Sequence, residues 1–129
     1  MRLLRRKPKD DEPVDMNARS PETGLKYKDL ALLGQMLRAG ADLTKPRHAL
    51  YYLYFGSPDV ANSGAAEARA AGYDCNVGDP LPEYPGHWSL ICERHDVVLD
   101  IDGVRSADDL FQGIADRHQG DFDGWEAAV

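Results

Sequence analysis

The chain has 129 residues, a formal net charge of −7, and 29% charged against 43% hydrophobic residues. That length fits one domain with a tail, and the hydrophobic content suffices for a single packed core. No apolar run approaches the ~20 residues of a membrane-crossing helix, and an acidic body repels a phosphate backbone, so neither membrane nor direct nucleic-acid binding is expected.

The N-terminus carries Arg2, Arg5, Arg6, Lys7 and Lys9 but lacks the apolar stretch of ~7–15 residues that marks a signal peptide. Cys75 and Cys92 are the only cysteines, too few for a disulfide framework, and a reducing cytoplasm is the expected setting. Residues 1–20 are polar and broken by Pro8 and Pro13. They offer little apolar surface to offset chain ordering, which predicts a disordered tail and leaves 21–129 as one domain.

From Leu25 the pattern changes. Leu30, Leu33 and Leu37 recur at helical spacing, and Gly40 stands where a helix end wants it. His48 to Phe55 is aromatic, apolar and free of Gly or Pro, a clear strand signal. Ser57-Pro58-Asp59 reads as an N-cap, a first-turn proline and a dipole-matched carboxylate, opening a helix that runs to Ala71 and stops at Gly72. Tyr73 to Val77 is a short second strand, and Gly78 to Gly86, with Pro80, Pro82 and Pro85, is a loop.

His87 to Cys92 is the third strand, which either turns at Arg94-His95-Asp96 or runs on with a kink. Ser106-Ala107-Asp108-Asp109 resembles a capping box and predicts a helix start there, with Leu110, Phe111, Ile114, Ala115 and His118 as its inward stripe. Asp121 to Glu126 is a last strand or a docked extended segment. The succession is a helix followed by β-α-β-β-α-β. It predicts an α+β, ferredoxin-like sandwich with an antiparallel sheet and an extra N-terminal helix.

No catalytic constellation emerges. Asp100, Asp102, Asp108, Asp109, Asp121, Asp123 and Glu126, with His95 and His118, contain the ligand types of a hydrolytic metal site, but Asp100-Ile101-Asp102-Gly103 lacks the later bidentate Glu of a calcium loop. Neither metal nor cofactor is expected. Cys75 and Cys92 fall on strands, where cysteine acts as a small core hydrophobe. Ser89 lacks the glycine turn of a nucleophile elbow. His48, His87, His95 and His118 show no spacing that defines a ligand pair and are expected to be structural.

The aromatic strand carries Ala49, Tyr51, Leu53 and Phe55 on one face and Leu50, Tyr52 and Tyr54 on the other. The N-terminal helix is expected to cover the second face. Left open, Tyr52 and Tyr54 form either a protein-binding patch or the stacking platform of an RNA-binding module, although a platform of that kind needs cations this strand lacks. Pro80 to Pro85 is a weak polyproline-like signal. Trp125, so close to a chain end, is expected to dock into the core, with interface anchoring as the alternative. From Glu93 onward ten acidic residues face three basic ones, which suits a basic protein partner.

Gly40-Ala41-Asp42-Leu43 leading through Pro46-Arg47 into His48–Phe55, then Ala71-Gly72-Tyr73, then Gly120-Asp121-Phe122-Asp123-Gly124-Trp125-Glu126 together make a further pattern. Over residues 25–129 it resembles the regulator of ribonuclease E activity, type B, family. Phe122 stands where that family's closing signature usually has tyrosine. The resemblance implies a bacterial cytoplasmic protein of ferredoxin-like fold, without catalysis of its own, that binds ribonuclease E and modulates RNA cleavage. The expected protein-binding residues are Asp121, Asp123, Trp125, Glu126, Tyr52 and Tyr54. The partner would be ribonuclease E or another basic protein segment, and a small acidic-site hydrolase is the remote alternative.

Overall fold

The computed structural model describes residues 14–129, in the order α1 (Tyr27–Arg38), β1 (Arg47–Phe55), α2 (Pro58–Ala70), β2 (Asp74–Gly78), β3 (Trp88–Val97), α3 (Ile101–Arg117) and β4 (Asp121–Ala127). The strands form one antiparallel sheet ordered β2-β3-β1-β4. The class is α+β, and the β-α-β-β-α-β succession with this strand order agrees with the ferredoxin-like expectation.

Alternation along β1 sends Ala49, Tyr51, Leu53 and Phe55 into the core. They meet Ala61, Ala65 and Ala68 of α2 and Val104, Phe111, Ile114 and Ala115 of α3. Tyr51 stacks on Phe111 at 4.5 Å between ring centroids, and Tyr73 meets Phe111 edge-on at 4.9 Å. The small residues of α2 let it lie close to the sheet: a Cβ at Gly64 would stand 3.1 Å from Phe55 and 3.2 Å from Ile114. Ser57 caps α2 as the sequence predicts, its Oγ accepting from the Val60 amide at 3.3 Å.

Three expectations are corrected. The helix expected to start at Ser106 starts five residues earlier, because Asp100 is the N-cap and accepts from the Gly103 amide at 2.7 Å. Gly103 is the enabling residue, since a Cβ there would lie 2.2 Å from the Val98 carbonyl oxygen. Asp108 and Asp109 therefore sit inside α3, not at its start. Second, α1 does not cover Tyr52 and Tyr54. It packs on the helix side, where its buried Asp29 accepts from the indole of Trp125 at 2.9 Å, and both tyrosines stay half-buried on the opposite face.

The third correction concerns the tail. The expectation for residues 1–13 lies outside the described residues. Residues 14–20, however, run against the body: Ser20 is buried, Arg19 bridges to Lys26, and the Tyr27 and Lys28 amides donate to the Ala18 and Met16 carbonyls. The alternatives left open for β3 and the C-terminal segment resolve into continuous strands. β3 runs through to Val97, with a register shift opposite Arg47–Ala49 that sets His95 and Asp96 against the single residue His48.

The two rival caps of α3 are separable by mutation. Asp100→Ala should cost about 1 kcal/mol and lower the melting temperature by about 3–6 °C, whereas Ser106→Ala, at an exposed mid-helix site, should leave it within about 1 °C. Thermal unfolding of the two variants checks both.

Candidate protein-binding site

The sheet face away from α2 and α3 carries Leu50, Tyr52 and Tyr54 from β1 and Ser89 and Ile91 from β3, all half-buried. Beside them lies an open groove of about 780 Å³ lined by Tyr52, Tyr54, Asp121 and Asp123, together with Asp79, Tyr84 and His87 from the proline loop. That loop, which sequence reading treats as a weak recognition segment, builds a groove wall. Leu81 and Tyr84 are 62% and 57% exposed there. Tyr84 stacks on His87 at 5.5 Å, and His87 lies 5.9 Å from Tyr54, so the aromatic surface continues from strand to loop. Among the described residues, Lys28 is the one cation lining this groove.

Five of the six expected binding residues thus share one face. The Tyr52 hydroxyl donates to Glu126, and that bond together with desolvation pushes its pKa up to about 12. Asp121, Asp123 and Glu126 are exposed. Trp125 goes elsewhere: it is 8% exposed and its indole N–H is spent on Asp29, the core docking that sequence reading favoured. Leu81, Tyr84 and His87 also line this groove, and no sequence signal announces them, because loop residues show no periodicity that would place them beside a strand.

The other candidates are dispersed. Asp102 pairs with Arg105 at 3.0 Å and Asp109 with Arg19 at 3.2 Å. His118 contacts Glu67, whose carboxyl is held below its usual range by Arg117 first and His118 second. Cys75 and Cys92 face each other across β2 and β3 with sulfurs 3.1 Å apart, and burial pushes both thiols up, away from the reactive thiolate. His48, Glu93 and His95 do converge on the open face: His48 Nε2 lies 2.6 Å and His95 Nε2 3.9 Å from Glu93 Oε2.

Behind the sheet, two buried carboxyls meet between α1 and α3. Asp29 and Asp108 are 2% and 1% exposed, and each leaves its Oδ2 without another partner. Burial first, and then the neighbouring Asp29, holds the Asp108 carboxyl well above its usual range, against the opposing pull of Lys26 and Arg19. Burial thus favours the neutral, protonated form of the Asp108 carboxyl. Lys26, itself buried, reaches Gln112 at 3.4 Å and lies 4.9 Å over the Phe122 ring.

A family model described as Regulator of ribonuclease activity B matches residues 28–127, a span that takes in nearly all of α1 and every later helix and strand. Comparison with curated proteins gives no match.

The buried pair sets a pH dependence. An acid whose folded-state pKa is raised holds its proton in the folded state over a range where the unfolded chain has lost it. Stability therefore falls as pH rises from the ordinary carboxylate range through neutrality. Asp108→Asn, which keeps the shape and supplies a permanent donor to Asp29, should flatten that slope and add about 1–3 kcal/mol at pH 8. Denaturant unfolding from pH 5 to pH 8.5 measures it, and an unchanged slope would place the proton elsewhere.

Proposed function

The chain belongs to the Regulator of ribonuclease activity B family, and from that membership we propose that it is a non-enzymatic, protein-binding inhibitor of ribonuclease E-type RNA decay in a bacterial cytoplasm. Its docking face is the open side of the sheet, and the occupant is an extended basic segment of the ribonuclease. One observation carries the assignment of the face: no helix among the described residues covers Tyr52 and Tyr54, and they are rimmed by Asp79, Asp121, Asp123 and Glu126.

Tyrosines supply rigid, amphipathic contact area at low entropic cost, and they concentrate at protein interfaces. Arginine planes stack well on such rings, while the carboxylates around them attract a cationic chain and repel phosphate. No helix among the described residues is long and apolar enough to cross a membrane. The groove also has length: Tyr52, Tyr54, His87 and Tyr84 follow one another from strand to loop, matching a segment that binds extended.

Association kinetics with purified ribonuclease E at low and moderate salt provide the test. Asp121→Asn with Asp123→Asn should slow association several-fold and weaken its salt dependence, because exposed charges act on encounter. Tyr52→Ala with Tyr54→Ala should weaken binding at least ~10-fold, mostly by faster release. Binding that ignores both double variants would move the interface off this face. Capture of single-stranded RNA, lost on removing the tyrosines, would replace the protein partner with a nucleic acid.

A further inference from the structure

We infer that His48, Glu93 and His95 form a binding site for a late first-row divalent metal ion of the zinc class, separate from ribonuclease regulation and from the aromatic groove. The three side chains emerge on the open face at the start of β1 and the end of β3. Their donor atoms, one from each residue, all lie within 4.8 Å of one another. Two imidazoles and one carboxylate are the ligand set that selects zinc and its neighbours over magnesium or calcium.

The fold builds this convergence. Glu93 and His95 are two residues apart on one strand and share a face. The register shift between Arg47 and Ala49 sets His95 and Asp96 against His48 alone, a bulge of the kind that re-aims side chains. The two rings lie parallel, 4.4 Å apart at 16°, with both Nε2 atoms directed at one carboxylate oxygen.

A simple His–Glu hydrogen bond explains His48 at 2.6 Å but not His95, which at 3.9 Å makes no hydrogen bond to Glu93 and is 70% exposed. Two stacked imidazoles aimed at one anion are the arrangement that a cation between them completes. Ligand bonds of ~2.0–2.2 Å put donor atoms near 3.3 Å apart in a tetrahedral shell. Binding therefore opens the His48–Glu93 contact slightly and draws the exposed His95 inward. Three protein ligands leave a coordination position open to solvent, as in sites that exchange their fourth ligand.

The site lies six residues along β1 from Tyr54, roughly 20 Å in a strand, so it is tested without disturbing the groove. The untagged full chain is titrated with Zn²⁺ alone by calorimetry and with Co²⁺ by visible absorption. One equivalent should bind, with a ligand-field band for Co²⁺ and a Zn²⁺-dependent rise in melting temperature. His48→Ala, Glu93→Gln and His95→Ala should each weaken binding at least ~10-fold, about 1.4 kcal/mol, while His87→Ala and His118→Ala leave it unchanged. The exposed His95 guards against loss of fold, since its replacement should not alter the metal-free melting temperature. Absence of binding at millimolar metal, or binding that survives all three substitutions, overturns the assignment.

Discussion

The position of α1 rests on a buried polar contact that an apolar core would not need. Asp29 of α1 accepts a hydrogen bond from the indole N–H of Trp125 on β4 and faces Asp108 of α3, with Lys26 and Gln112 closing the cluster. Two carboxyls at 2% and 1% exposure are costly unless one is neutral and both are hydrogen-bonded. Their directionality gives α1 one seat in place of many greasy ones. Because that seat is on the helix side, no helix among the described residues covers the tyrosines of the opposite sheet face.

The open face then reads as a division of labour along one strand. At one end of β1, Tyr54 meets the loop aromatics and the carboxylates of β4. At the other, His48 meets Glu93 and His95. Tyr52 lies between, tied to Glu126 by its hydroxyl. The face carries aromatic and acidic groups at both ends, with Leu50, Ser89 and Ile91 among them.

Much of the fold was legible because local signals agreed. β1 is an uninterrupted aromatic run, and Ser57-Pro58-Asp59 stacks three helix-start preferences in three residues. What failed were places where two signals competed or a distant partner decided. Asp100 and Ser106 both offer a cap, and only the close pass of Gly103 by Val98 selects the first. Asp108 reads in sequence as a helix-start carboxylate, and its burial depends on Asp29, far away in sequence. Of the candidate binding residues, Tyr52, Tyr54, Asp121 and Asp123 follow strand alternation, whereas a register shift in β4 exchanges the faces of Trp125 and Glu126. Tyr84 and His87 could not be placed by alternation, and the meeting of His48 with His95 needed the register of a bulge.

The raised Asp108 carboxyl also bears on how α1 leaves. α1 is anchored to α3 and β4 through Asp29, so a local opening that lifts it exposes Asp108 to water. A carboxyl freed in that way ionises at neutral pH. Detachment of the helix and release of the proton are then a single event, and each step toward alkaline conditions makes the event more frequent. An opening confined to α1 therefore carries its own acid–base signature, distinct from the exchange chemistry of the backbone itself.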